Sequence, residues 1–422
     1  MAKATTGTKK KAADVGVSKS KWLECIGDLK TDESLIMKAD FITKTFPTGS
    51  IVLDNVLRLR GIPYGGRVVH IHGKEHGGKS TLAAGILKSY QKESDGAPAV
   101  IMDFERTLTN EYLKDLGVNV GREQFLLMRP DHLHTAIKDT ILLMEGGCKV
   151  FMFDSIPRMK SKVERKEIMN GKAMKASVGR HARDMQDFFD ILLPYAAEHD
   201  AVFLMINQVR ARIDSSQEAA LAAKYPSFTN LPYICPGGNS CRFIPSLTIE
   251  VNVAKAFRGA PAEEWWLLEP EVKDRKDFVA TKVKVRILKN KVNGGGYREF
   301  HIWLRPGRGL DDTISVRELA KSYDLIKRVG GAWQVGKDDD IITSYGSKDE
   351  FIQHMIMEPD LEVTVRLKAQ VQEAIDNDRD GFAFAPSDAE RFLAGDIEDA
   401  GYAAGDALLD DDADAVPFEP ED

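Results

Sequence analysis

Cysteine is scarce in this sequence: Cys25, Cys148, Cys235 and Cys241 are the four in 422 residues, and none forms a C-x-x-C pair. That excludes a disulfide scaffold and a zinc ribbon, and it fits a reducing compartment, expected to be the cytoplasm. No run approaches eighteen consecutive apolar residues, and the lysine-rich N-terminus has no apolar stretch behind it. Neither a membrane span nor a secretory signal is expected. Internal repeats are absent as well, which removes solenoids and propellers. What remains is the composition of a globular protein, 43% hydrophobic and 29% charged, long enough for two or three domains with a sizeable core.

The formal net charge of −7 conceals an asymmetry. From Pro386 to Asp422 there are thirteen acidic residues and one basic residue, Arg391, a net −12 that leaves the other 385 residues at +5. Such a segment cannot bury enough apolar surface to offset its ordering entropy. Two roles beyond solubility are open to it: competing with nucleic-acid phosphates for the chain's own basic surface, or recruiting a partner such as a single-strand-binding protein or a loader.

Between Arg67 and Arg210, short β-branched runs alternate with amphipathic stretches: RVVHIHG, TLAAGILKSYQKE, AVIMDFE, NEYLKDLG, QFLLMRP, HTAIKDTILLMEGG, KVFMFDS, ARDMQDFFDILLPYAAEHD and AVFLMINQVR. This predicts an α/β fold with a largely parallel sheet covered on both faces. Three further strands without intervening helices, SLTIEVNVAKAFR, TKVKVRILKNK and REFHIWLRP, predict an antiparallel end to the sheet. A hairpin or loop carrying Trp265 and Trp266 is expected between the first two. Residues 1–46 read as a basic arm with a helix near Lys21–Leu29 and a strand near Asp40–Lys44. Residues 47–312 read as the core, 313–376 as a small α/β domain opening with the amphipathic VRELAKSYDLIKRV, and 377–422 as the acidic tail.

The sharpest local signal is Gly73-Lys74-Glu75-His76-Gly77-Gly78-Lys79-Ser80, which fits G-x-x-x-x-G-K-[ST] between a predicted strand and a predicted helix. Glycines there let backbone N–H groups turn inward around phosphate oxygens, and the helix N-terminus adds partial positive charge. Lys79 is expected on the β- and γ-phosphates, with Gly73, Gly77, Gly78 and Thr81 around them and the Ser80 hydroxyl on Mg²⁺. Asp154 ends the strand KVFMFD as a second metal anchor, and Glu105 ends AVIMDFE as the group that polarises a water. Asp103 ranks second for that role.

Two loop-like stretches carry nucleic-acid signals. Arg158 to Arg183 holds nine basic and two acidic residues. In the second, Arg210 and Arg212 stand near Tyr225, Phe228 and Tyr233, a mixture that suits phosphate contacts and base stacking. Taken alone, each is as well explained by a solvated surface. His70 and His72 are expected to pack or face solvent rather than bind metal, and Cys235 and Cys241 to act as small apolar residues.

The order of these motifs resembles the RecA-type homologous recombinases. The resemblance runs from PTGSIVLDNVL through GIPYGGRVVHIHGKEHGGKSTL, VIMDFERTLTNEYLKDLGV, VFMFDS, FLMINQVRARI, PGGNSCRF and VRILKNK into LAKSYDLIKRVGGAWQV, about three hundred residues in the family's order. It implies ATP and Mg²⁺ as cofactors, with Lys79, Ser80, Asp154 and Glu105 in the roles above. Tyr112 is then stacked on adenine, near Thr109, where bacterial members usually carry aspartate. Gln208 senses the γ-phosphate. Lys289 and Lys291 reach the nucleotide of a neighbouring subunit, and Arg242 with Phe243 lies at that interface. Residues 158–183 and 209–238 become two DNA-binding loops, with Arg183, Arg210, Arg212, Gly237, Gly238 and Asn239 as contacts. The second is about a dozen residues longer than the bacterial loop, which together with the sequence divergence hints at a bacteriophage source. The implied activity is DNA-stimulated ATP hydrolysis in a helical filament on single-stranded DNA that searches homologous duplex and exchanges strands. A ring-forming replicative helicase on the same core is the alternative.

Overall fold

The computed structural model describes residues 44–163, 177–211, 233–270, 276–292 and 298–378. The expected N-terminal helix, the strand near Asp40, most of the first loop, Arg212, Tyr225, Phe228 and the acidic tail lie outside them.

Nine strands form the central sheet. In chain order its parallel part consists of β3 (Arg67–Gly73), β4 (Ala99–Asp103), β5 (Phe125–Met128), β6 (Val150–Asp154), β7 (Val202–Gln208) and β10 (Leu247–Phe257). The spatial order across the sheet is β5, β4, β6, β7, β3, β10. β11 (Ala280–Asn290), β12 (Arg298–Arg305) and β13 (Gly309–Leu310) then extend it antiparallel, as the sequence predicts. Two short pairs lie outside this sheet: β1 (Thr45–Phe46) with β2 (Ile62–Pro63), and β8 (Arg210–Ala211) with β9 (Tyr233–Ile234).

Strand side chains alternate between faces, and adjacent residues of β3 divide accordingly. Val69 and Ile71 join a core with Leu204, Ile206, Leu82, Ile86 and Tyr90, whereas Val68 joins Phe151, Phe153, Phe203, Met205, Phe188 and Leu192 on the other side. The first layer is helix α2 (Lys79–Glu93) and the second is helix α5 (Ser177–Glu198). Between them in sequence run α3 (Asn110–Asp115) and α4 (Leu133–Glu145); α1 (Ile51–Val56) precedes them. Both faces are thus covered, which is what lets β4, β6 and β7 be apolar up to the polar residues at their C-terminal ends.

The expected helix VRELAKSYDLIKRV is only half realised. α7 spans Asp312–Ser322, after which Asp324 turns with φ 55° and Ile326–Val329 becomes strand β14. Its partner β15 (Ala332–Lys337) is reached through Gly330-Gly331, both at positive φ (57° and 97°), and β16 (Asp340–Tyr345) completes a three-stranded sheet. A tight turn with both central residues at positive φ favours antiparallel pairing, and that pairing wins over the helical spacing of the apolar residues. α8 (Lys348–Ile352) and α9 (Leu361–Asn377) follow. Of the two expected forms the Trp265–Trp266 segment takes the loop: among the described residues it holds a 3₁₀ turn at Ala262–Glu264 and one bridge, Ala260 to Pro270. Trp265 stands edge-on to Trp333 at 4.8 Å and Phe351 at 5.5 Å.

Candidate functional site

The phosphate-cradle sequence sits where the parallel sheet presents strand C-termini, the usual ligand edge of such sheets. Gly73 is left-handed at φ 156°, and a Cβ there would lie 1.9 Å from the Val251 carbonyl oxygen of β10. No side chain fits between the two strands at this point. Gly78, at φ 89°, is the residue before α2, so the turn delivers Lys79 and Ser80 as the first helical residues.

Lys79 is buried, 7% exposed, and its ammonium donates to the Lys74 carbonyl at 2.6 Å. Burial pulls its pKa down, while Asp154, Glu105 and Glu75 oppose the shift. Ser80 Oγ donates to Asp154 Oδ2 at 2.7 Å, so the two oxygens named as a metal pair are in contact. Hard oxygen donors of this kind suit Mg²⁺. Glu105 Oε1 accepts from Gln208 Nε2 at 2.9 Å and from Ser155 Oγ. Thr81 Oγ1 lies 3.2 Å from Tyr112 Oη at the start of α3, where the half-exposed ring of Tyr112 stands beside Thr109, the helix N-cap.

The structure therefore brings Gly73, Gly77, Gly78, Lys79, Ser80, Thr81, Tyr112, Glu105, Asp154 and Gln208 to one edge of the sheet. Ser155 belongs with them and was not singled out from the sequence; its only signal is that it follows Asp154 in FMFDS. Asp103 is employed otherwise. Its carboxylate accepts from the backbone N–H groups of Arg106 at 2.7 Å and Leu108 at 3.1 Å and pairs with Arg129 at 3.6 Å, so it braces the turn that carries Glu105.

A second group gathers around helix α6 (Gly238–Phe243). Lys289 Nζ donates to the carbonyls of Arg242 at 3.0 Å and Phe243 at 2.8 Å, and Lys291 Nζ to Phe243 at 2.6 Å. Burial, with Lys291 and Arg242 adding, lowers Lys289 to about 8. The Arg242 guanidinium lies 5.7 Å from the centre of the Phe243 ring, which is 54% exposed. Gly237 (φ 101°) and Gly238 (φ 73°) start α6 ahead of Asn239, and a Cβ on Gly238 would lie 2.6 Å from Ala182 Cβ. That contact sets the Gly-Gly-Asn turn against the helix that carries the exposed Arg183. Arg210 lies in β8, which continues from Gln208 after one residue. Tyr233, considered above for base stacking, is instead turned toward the sheet, with its hydroxyl 2.8 Å from His72 Nε2.

Asp154 offers a test of the first group. Burial pushes its pKa up to about 6, opposed by the Ser80 hydrogen bond and Lys79 and reinforced by Glu105 and Asp103. A raised folded-state pKa favours the protonated native protein: the stabilisation is present at low pH and lost as pH rises from about 4 through about 6. At neutral pH the ligand-free protein carries a cost of up to about 3 kcal/mol. Asp154→Asn is expected to raise the ligand-free melting temperature at pH 7 and flatten its dependence between pH 4 and 6, while abolishing stabilisation by Mg²⁺ and ATP. Thermal melts over that range check both outcomes.

Among the described residues, no helix is long and apolar enough to cross a membrane. Comparison with known proteins gives one family: a model of the RecA N-terminal domain matches residues 33–311. Protein RecA of Thermus aquaticus is 31% identical over 292 residues, 69% of this chain and 75% of that protein. Protein RecA of Borrelia turicatae is 27% identical over 353 residues, 83% of this chain and 86% of that protein.

Proposed function

This chain belongs to the RecA family of recombination proteins, and from that premise we propose that it is a DNA-dependent ATPase that assembles as a helical filament on single-stranded DNA, finds homologous duplex and exchanges strands. Residues 47–312 serve as the motor, 313–376 as a small C-terminal domain. The observation that carries the reading is the hydrogen bond from Gln208 to Glu105. Glu105 is the candidate base, and Gln208 stands two residues before Arg210, where the 209–238 segment begins. A change at the γ-phosphate that shifts Glu105 or Gln208 is thereby passed to the base of a candidate DNA loop.

The division of labour follows from the donors. Lys79 and the cradle N–H groups hold the phosphates of ATP, Tyr112 flanks the base, and Ser80 with Asp154 supplies the ligands for Mg²⁺, which neutralises phosphate charge when bound. Glu105 orients the attacking water and accepts its proton; Ser155 and Gln208 fix the carboxylate that does so. Lys289 and Lys291, with Arg242 and Phe243, contribute from the adjacent subunit, so the nucleotide seals a heterologous interface, a kind that propagates as an open helix unless it closes a ring. Arg183, Arg210, Arg212 and Gly237-Gly238-Asn239 are the contacts to the DNA backbone.

Electron microscopy of the full chain with single-stranded DNA and a non-hydrolysable ATP analogue tests the proposal. The expected result is extended filaments, together with joint molecules between homologous DNAs in the presence of ATP. Closed rings that unwind a forked duplex without pairing homologues would replace this reading with the helicase.

A further inference from the structure

Two histidines and a cysteine that the ATPase chemistry does not use meet where β9 approaches the central sheet. His70 and His72 are alternate residues of β3, so their side chains leave the same face, and their ring centres are 5.0 Å apart. Cys235 follows β9. One ligating atom from each of the three lies within 4.8 Å of the other two. Both histidines are buried, at 2% and 0% exposure. Burial, with Lys289 adding, lowers His70 to about 4, and burial, with His70 and Lys79 adding, holds His72 well below the ordinary histidine range. Neutral imidazoles are the form that ligates metal.

The surrounding hydrogen bonds leave one nitrogen orphaned. His72 Nε2 meets Tyr233 Oη, whereas His72 Nδ1 is buried and has no hydrogen-bond partner. A buried polar atom without a partner calls for an explanation, and an imidazole anchored through one nitrogen with the other free is how metal-ligating histidines are held. Asn207 Nδ2 donates to His70 Nε2 at 3.1 Å and to the Pro236 carbonyl at 2.9 Å, tying the His70 ring to the residue after Cys235, so an ion on His70 Nε2 takes the place of the Asn207 N–H.

We propose that His70, His72 and Cys235 form a binding site for a transition-metal ion of the zinc class, which pins the end of the 209–238 segment to the strand that leads into the phosphate cradle. Two nitrogens and a sulfur select zinc-like ions over Mg²⁺, and a fourth tetrahedral position stays open. An ion centred among three atoms at the 4.8 Å limit sits about 2.8 Å from each. Side-chain shifts of under an ångström reach the bond lengths of about 2.0–2.3 Å that zinc makes to nitrogen and sulfur. Burial, with Glu250 adding, pushes the Cys235 thiol up to about 12, so the metal-free protein holds it protonated. Binding forms the metal–sulfur bond and releases that proton to solvent. Glu250, itself buried and paired with Arg286 at 3.4 Å, lies nearby. His72 immediately precedes Gly73, so the ion joins the loop base to the phosphate turn. The site does not depend on the recombinase reading.

The test is a titration of chelator-stripped full-length protein with Co²⁺ as a spectroscopic substitute for zinc, without nucleotide. One ion per chain is expected, with a thiolate-to-cobalt charge-transfer band and tetrahedral visible bands that one equivalent of Zn²⁺ displaces. Cys235→Ser, a one-atom change, should abolish the charge-transfer band, and His72→Ala should weaken binding at least about 10–100-fold, the loss typical even of outer-shell partners. Cys148→Ser and Asp154→Asn should keep the spectrum. A charge-transfer band that persists in Cys235→Ser, cobalt binding that vanishes in Asp154→Asn, or no binding to the native chain overturns the proposal.

Discussion

Replacing Lys79 by alanine is expected to reduce DNA-stimulated ATP hydrolysis by at least about 10²–10³-fold, the loss that follows removal of one preorganised donor from a site where charge develops. The geometry makes the effect large. Lys79 is a buried cation at the first turn of α2, and the charges that act on it are Asp154, Glu105 and Glu75. Without it, incoming phosphates meet those carboxylates with the positive end of the helix as the remaining local compensation. Asp154 also loses a cation that lowers its pKa, so its affinity for a divalent ion should fall at mildly acidic pH. Alanine is the best helix former, so α2 should persist. Steady-state turnover with and without single-stranded DNA, beside far-ultraviolet circular dichroism, separates lost chemistry from lost structure. Folded Lys79→Ala that retains more than a tenth of native turnover would place the phosphates elsewhere.

Why Lys79 was legible in the sequence, and other members of the site were not, is a matter of range. Gly73 to Ser80 is contiguous, and a phosphate cradle requires glycine at fixed offsets, so the sequence order is the geometry. Asp154 was reachable because a carboxylate ending an apolar strand lies at the ligand edge. The antiparallel end of the sheet followed from three strands lacking crossover helices. Asp103 and Glu105 are different: Asp103 ends β4 and Glu105 stands in the turn after it, and nothing local says that Asp103 will be consumed by the N–H groups of Arg106 and Leu108. Ser155 acquires its place only because β4 and β6 are neighbours, which sets its hydroxyl against Glu105. The sequence offers Tyr233 as an aromatic for stacking, yet its partner is a histidine 161 positions earlier in the chain. Ile326–Val329 continues the helical spacing of α7, and only the Gly330-Gly331 turn with its pairing to β15 decides for strand.

Lys289→Ala with Lys291→Ala should leave nucleotide binding to the isolated chain close to native while reducing DNA-dependent turnover by about 10³-fold or more, the scale of a cation supplied in trans to a transferring phosphoryl group. The Lys289 ammonium ends on the carbonyls of Arg242 and Phe243 and the Lys291 ammonium on that of Phe243, beside an exposed Phe243 ring, and not on the Ser80–Asp154 pair. Lys289 is already lowered to about 8 by burial and its cationic neighbours, so an additional anion from outside would relieve a crowded positive cluster. A phosphate of a neighbouring subunit is such an anion. Mixing distinguishes this arrangement from one in which the lysines serve their own subunit's nucleotide. The double variant keeps Lys79 and the Lys79→Ala variant keeps Lys289 and Lys291. Every heterologous contact that sets an intact cradle against intact lysines is then competent. Random co-assembly at equal amounts should restore about a quarter of native turnover from two inactive proteins. If the lysines act within their own subunit, no pairing of the two variants assembles a complete site, and the mixture stays as inactive as its parts.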